Sequence, residues 1–185
     1  MTAALVGALV TAAVSTVGDY LWANVLPHHR PIYGFAHGAL LFLTVGVCLG
    51  LPSGKPILGA IGGVAIGVAA TAGFYMLRPL LGYSGLFVMF VALWIGLGLL
   101  TGRVLQQGDN RLRRGVRGQG LREVLIRSTL AAVGSGLGFY AISGIWFPFN
   151  PHGWDYARHF VYWTIAYLPG FAALLIQINR SSLRR

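Results

Sequence analysis

Long apolar stretches dominate this chain and constrain its fold more than any other feature. A bilayer crossing takes about 20 apolar residues of helix, and six stretches meet that length. Only 10% of the 185 residues are charged, whereas a typical soluble domain has about 25%. The pattern excludes a soluble globule and predicts an all-α polytopic membrane protein, a compact bundle of six transmembrane helices forming one domain over residues 1–185. The spans are predicted at 2–25, 32–51, 57–77, 83–100, 124–146 and 160–178.

Proline-containing breaks separate most of these stretches, at 27–31, 52–56, 78–79 and 147–153. Proline has no amide hydrogen to donate and moves the residue before it out of the helical region. Each break therefore predicts a turn. The remaining break, 102–123, is a longer polar loop.

The basic residues are distributed unevenly between the two predicted faces. The net charge is +10, but the arginines and lysines lie between and after apolar stretches, where they act as topology signals and contact lipid headgroups. With six spans, only Arg30, Arg78 and Arg158 fall on the face opposite the termini. The positive-inside rule then predicts cytoplasmic termini in an integral membrane protein, of the bacterial inner membrane if the source is prokaryotic. The arginine-rich fourth loop is expected to contact anionic lipids, with an acidic protein partner as the alternative; no nucleic acid is expected.

Glycines and a recurring triplet suggest how the spans pack. Gly59, Gly63 and Gly67 are spaced by four residues, which lets helix backbones approach closely. We expect them to pack inside the bundle, with a homo-oligomer interface as the alternative. Gly18-Asp19-Tyr20, Gly73-Phe74-Tyr75 and Gly138-Phe139-Tyr140 end the first, third and fifth spans in similar ways. They suggest three helical-hairpin repeats, and chance similarity is the alternative.

Asp19 is the one acidic residue well inside a predicted span. A carboxylate there is costly unless it faces protein or water. Thr11, Ser15, Asp19 and Trp22 follow helical spacing and predict a polar stripe, and His37 is expected at the depth of Asp19. The carboxylate would accept a ligand hydroxyl or carry a proton. The alternative is an interfacial carboxylate paired with Arg78 or Arg30.

The sequence offers little for metal or covalent chemistry. Cys48 is the single cysteine, and the histidines lack the spacing of a metal-binding motif. No nucleophile and base stand at a recognisable spacing. We therefore expect no metal, no cofactor and no enzymatic activity, although a lipid-modifying enzyme using histidines is an alternative. The outer-face aromatic residues are interpreted as an interfacial belt: Trp146, Trp154, Tyr156, Tyr162 and Trp163.

Pro169-Gly170 interrupts the middle of the sixth span. The missing amide of Pro169 frees the carbonyl of Ile165, and unsatisfied backbone in lipid is costly. This predicts a pocket within the bundle beside Pro169. A kink that only improves packing is the alternative.

The order of the spans, with segments such as 92–97, 143–146 and 155–158, resembles the Insig family of six-span sterol-binding membrane proteins. The resemblance implies a six-helix bundle with an apolar lipid pocket. Gly102-Arg103 stands where the family has Asp-Arg, so the family's partner binding is not carried over.

The sequence and the resemblance together predict a non-enzymatic membrane protein that binds a sterol-like or diacylglycerol-like lipid between its helices. The alternative is a small proton-coupled transporter that uses Asp19 and His37. The candidate ligand-binding residues are Ser15, Asp19, Tyr33, His37, Tyr75, Tyr140, Tyr167 and Pro169.

Overall fold

Six helices make up most of the described chain. The computed structural model describes residues 2–26, 31–82, 84–105, 121–146 and 155–182, with side chains omitted at 84, 86, 141–146 and 177–182. The described ranges contain no strand, which confirms the all-α prediction. The helices are α1 (Thr2–Asn24), α2 (Pro31–Gly50), α3 (Pro56–Leu81), α4 (Ser84–Leu99), α5 (Leu121–Trp146) and α6 (Asp155–Ser182). A 3₁₀ turn, Leu51–Ser53, follows α2, and a π-helical turn, Leu100–Leu105, extends α4.

Five of the helices are long and apolar enough to cross a membrane, as expected for an integral membrane protein. These segments are Thr2–Asn24, Pro31–Ser53, Pro56–Leu81, Phe87–Leu105 and Asp155–Ile176. Over its described residues α5 is not among them, and it carries Arg122, Glu123 and Arg127 near its start. A sixth crossing and the orientation of the termini stay predictions. Most of the basic fourth loop, and His28, His29 and His152, lie outside the described residues.

The third helix ends later than the sequence suggests. We expected a break at Arg78-Pro79, but α3 continues through Pro79 to Leu81. It ends at Gly82, whose φ of 56° favours glycine and whose N–H bonds to the Arg78 carbonyl at 2.8 Å. Pro79 has no amide hydrogen for the Tyr75 carbonyl, so the helix loses one backbone bond there and ends soon afterwards, at Leu81.

The helices form a closed ring. Each packs on the next along the chain, and α1 packs on α6 to complete the circle. The contact between α2 and α3 is the most extensive, and that between α1 and α2 is the least extensive of the ring. These contacts confirm a compact bundle. They do not show the three hairpin repeats, which stay a prediction.

Glycine makes the close approach of α2 and α3 possible. Gly46 faces Gly59 across the interface, and a Cβ added to either would overlap the carbonyl oxygen of the other. A Cβ on Gly63 would likewise overlap the Phe42 carbonyl, and Gly67 faces Gly38. The predicted intramolecular packing of Gly59, Gly63 and Gly67 is confirmed.

Aromatic side chains from α4, α5 and α6 fill the interior of the ring. Phe90 stacks on Phe139 with ring centroids 4.7 Å apart. Trp163 stacks on both Phe139 and Tyr167. Trp94 is fully buried and packs edge-on against Phe171. This aromatic core fixes the inner face of α6, which carries the polar site.

Candidate polar site between α1, α2 and α6

The Asp19 carboxylate lies where α1 packs on α6. It is five residues from the end of α1 at Asn24, or about 7.5 Å along the axis at about 1.5 Å per residue. The indole N–H of Trp163 donates a hydrogen bond to Asp19 Oδ2 at 2.7 Å. The Asp19 side chain remains 29% exposed. The carboxylate is therefore held in place by a partly buried donor and is still accessible from outside the bundle.

Two imidazoles accompany this carboxylate. His159 Nδ1 lies 3.5 Å from Asp19 Oδ2, and the His159 side chain is almost completely buried. His37 on α2 packs directly on Gly18, where any Cβ would overlap the ring, and it interacts electrostatically with Asp19. His37 therefore lies beside the residue that precedes Asp19, which agrees with the expected common depth of the two side chains.

A second polar pair lies one helical turn deeper. Ser15 Oγ and Tyr167 Oη are 3.0 Å apart, both residues are fully buried, and either oxygen can be the donor. Thr11 continues the same face of α1 and is also fully buried. The predicted polar stripe of Thr11, Ser15 and Asp19 therefore faces the protein interior.

Antiparallel stripes on the two helices explain this pairing. On α6, His159, Trp163 and Tyr167 are each four residues apart, which places them on one face of the helix. Asp19 meets His159 and Trp163, while Ser15 meets Tyr167, so residue numbers rise on one helix as they fall on the other. The sequence pattern favoured an interfacial belt for Trp163, and it placed His159 on the outer face without a role beside Asp19. Their spacing relative to Tyr167 was the signal that would have identified both.

The alternative pairing of Asp19 with Arg78 or Arg30 stays a prediction. Among the described residues, the basic side chain that contacts Asp19 is His159. Arg30 lies outside the described residues.

Four other candidate residues lie at varying distance from this cluster. Tyr33 is half-buried one turn before His37 on α2. Tyr75 on α3 stacks on Phe35 with ring centroids 5.7 Å apart. Tyr140 on α5 is 62% exposed. The recorded contacts of Tyr75, Tyr140 and Pro169 do not include Asp19.

The backbone break at Pro169 is packed by its neighbours. The N–H of Gly170 donates to Ser135 Oγ on α5 at 2.8 Å. A Cβ on Gly134 would contact the Pro169 ring, and one on Gly170 would overlap the Trp94 ring. The surroundings of Pro169 thus match the packing alternative rather than an open pocket. A surface groove of about 520 Å³ lies elsewhere, on α5 between Leu121 and Leu130.

No protein-family model, curated protein or solved structure matches this chain.

Proposed function

We propose that this protein is a non-enzymatic membrane protein that binds an amphiphilic lipid through a hydroxyl head group at Asp19. One observation carries the proposal. Trp163 holds Asp19 Oδ2 at 2.7 Å, while the carboxylate stays 29% exposed and Oδ1 makes no hydrogen bond to a described side chain. A fixed acceptor with accessible lone pairs is suited to bind a hydroxyl group.

The depth of Asp19 fits an amphiphile. The carboxylate lies within two turns of the end of α1, so a hydroxyl bound there would sit near the membrane interface while its apolar body extended inward. The seam between α1 and α2 is the natural place for that body, because these neighbours have the least extensive contact of the ring. A sterol-like or diacylglycerol-like lipid has this division, and the Insig resemblance implies the same class.

Neighbouring residues would act by positioning. Trp163 and His159 orient the carboxylate, and the Ser15 and Tyr167 pair closes the site on its inner side. Tyr33 and His37 are one turn apart on α2, so they share a face and would flank the head group.

Proton-coupled transport is the second candidate, and a specific observation favours it. Asp19 has His37 and His159 beside it inside an apolar bundle. Acidic and histidine side chains grouped inside a membrane bundle are the residue types that form proton relays in transporters.

Hydroxyl recognition can be tested with two lipids that differ only in whether one hydroxyl group is free or methylated. In detergent, diacylglycerol or a sterol should raise the melting temperature of the purified protein, whereas the matching O-methyl ether should not. Asp19→Asn should weaken the shift. Asp155→Asn is the control, because Asp155 lies 3.7 Å from Arg158 in a more exposed pair. Equal shifts with alcohol and ether, or none, would contradict hydroxyl recognition.

Liposomes with an internal pH dye test transport. A proton flux that requires both Asp19 and His37, together with no hydroxyl-dependent thermal shift, would favour the transporter over the lipid-binding protein.

A further inference from the structure

Two of the polar atoms that lack a hydrogen-bond partner among the described residues belong to completely buried side chains. They are the hydroxyl Oγ1 of Thr11 on α1 and the indole Nε1 of Trp94 on α4, and both side chains are fully buried. Inside a membrane protein neither can reach bulk water, so leaving either group unpaired is unfavourable. Each therefore calls for a small ligand within the bundle.

The two groups lie at the same depth. Thr11 is one turn from Gly7, which packs on Phe171, and one turn from Ser15, which contacts Tyr167. Trp94 packs on the same two rings, with centroids 5.9 Å from Phe171 and 6.3 Å from Tyr167. Phe171 and Tyr167, four residues apart on one face of α6, thus place Thr11 and Trp94 at one level of the bundle.

We propose that Thr11 and Trp94 form a binding site for buried water. The indole N–H can only donate, and a water molecule accepts from it. The same water can donate to the Thr11 hydroxyl, and buried waters typically make about three such bonds. The neighbours of Thr11 on its buried face are Ala8 and Ala12, whose small side chains occupy little space.

The water site would extend the polar site toward the middle of the membrane. Hydrogen-bonding groups then run from Asp19 through Ser15 and Tyr167 to Thr11 and Trp94. Eight residues of α1 cover this distance, about 12 Å at about 1.5 Å per residue. This inference does not depend on lipid binding, because it concerns groups that have no contact with the exposed carboxylate.

The melting temperature of the Thr11→Val variant distinguishes a Thr11 hydroxyl that binds water from one that is unpaired. Valine keeps the shape of threonine and removes the hydroxyl. If the hydroxyl binds water, the melting temperature in lipid nanodiscs should fall by about 3 °C, the shift that a lost hydrogen bond produces in a chain of this size. An unchanged or higher melting temperature would overturn the proposal, because removing an unpaired buried hydroxyl costs nothing.

Solid-state NMR on the tryptophan-labelled full chain provides the second measurement. Magnetisation from water should transfer to the Trp94 indole N–H, identified by its absence in Trp94→Phe. Thr11→Val should reduce this transfer, and Thr11→Ser, which retains a hydroxyl, should preserve it. The Trp163 indole, bonded to Asp19, should be unaffected by either change at Thr11. No transfer to Trp94 in the wild-type chain would overturn the proposal.

Discussion

Ser135 on α5 accepts a hydrogen bond from the Gly170 amide on α6 at 2.8 Å, one residue after Pro169. The contact is buried, and it lies where a proline interrupts the backbone bonds of a membrane helix. Gly134 and Gly138 flank Ser135 on α5 and let the kinked helix approach closely. A side chain of one helix thus provides an acceptor for a backbone amide beside the proline of another.

Ser135→Ala should destabilise the bundle. Alanine leaves the buried Gly170 amide without this acceptor, at a cost of about 1–3 kcal/mol. Unfolding by a denaturing detergent, followed by helical circular dichroism, measures the loss. Ser128→Ala is the matched control, because buried Ser128 donates only to the Val124 carbonyl of its own helix. Similar losses in the two variants would contradict the special role of Ser135.

Gly59→Ala should force α2 and α3 apart. The added methyl group would overlap the Gly46 carbonyl, which belongs to the backbone and cannot rotate away. We expect a loss of about 1–3 kcal/mol, as for other overpacked positions, together with a lower melting temperature. Gly96→Ala is the control, since its Cβ would lie 3.5 Å from Ile66, an ordinary contact. A neutral Gly59→Ala would show that the interface is looser than described.

Trp163 and Asp19 should be energetically coupled. Hydrogen bonds to charged groups contribute about 1.5–3 kcal/mol, and the Trp163 indole donates to the Asp19 carboxylate at 2.7 Å. A double-mutant cycle with Trp163→Phe and Asp19→Asn measures the coupling from detergent unfolding. The asparagine oxygen can still accept, so the coupling reports mainly the charge of the acceptor. Additive losses would indicate that Trp163 contributes through packing alone.

Lys55→Met should loosen the end of α4. The Lys55 ammonium donates to the Leu105 carbonyl at 2.7 Å and to the Val104 carbonyl at 3.3 Å. A cation at a helix C-terminus satisfies free carbonyls and interacts favourably with the helix dipole. Hydrogen exchange at residues 100–105 should become faster in this variant. Lys55→Arg keeps the charge and should exchange more slowly than Lys55→Met; equal rates in all three proteins would contradict the cap.

Both chain termini should lie on the same side of the membrane. This prediction rests on the asymmetry of the basic residues and on a crossing by α5. Cysteines introduced one at a time near Met1 and Arg185, in a Cys48→Ala background, can be labelled with an impermeant reagent in intact vesicles. Labelling of one terminus but not the other would show an odd number of crossings and remove α5 from the spans.

The sequence predicted the helices well because their length and apolarity are local properties. It also predicted the polar face of α1, since Thr11, Ser15 and Asp19 share one helical spacing. The partners of that face were missed. Trp163 and His159 are more than 130 residues away along the chain, and helical spacing alone cannot specify which helix a face meets.

The surroundings of Pro169 could likewise be predicted only in part from the sequence. The sequence indicated that the freed backbone needed partners, and it left both a cavity and a packed kink open as solutions. Whether a break is filled depends on the side chains of other helices, here Ser135 on α5 and Trp94 on α4. At Pro79, in contrast, the sequence predicted a break, and the helix continues for two more residues, to Leu81.

The closure of the ring by α1 and α6 has a consequence for biosynthesis. The donor that satisfies Asp19, Trp163, is made 144 residues later in translation. Until then the carboxylate must remain shielded from lipid by the insertion machinery, by water or by a proton, since an isolated charge in a bilayer is costly. Truncated chains that lack α6 should accordingly integrate poorly into the membrane and be degraded readily by quality-control proteases.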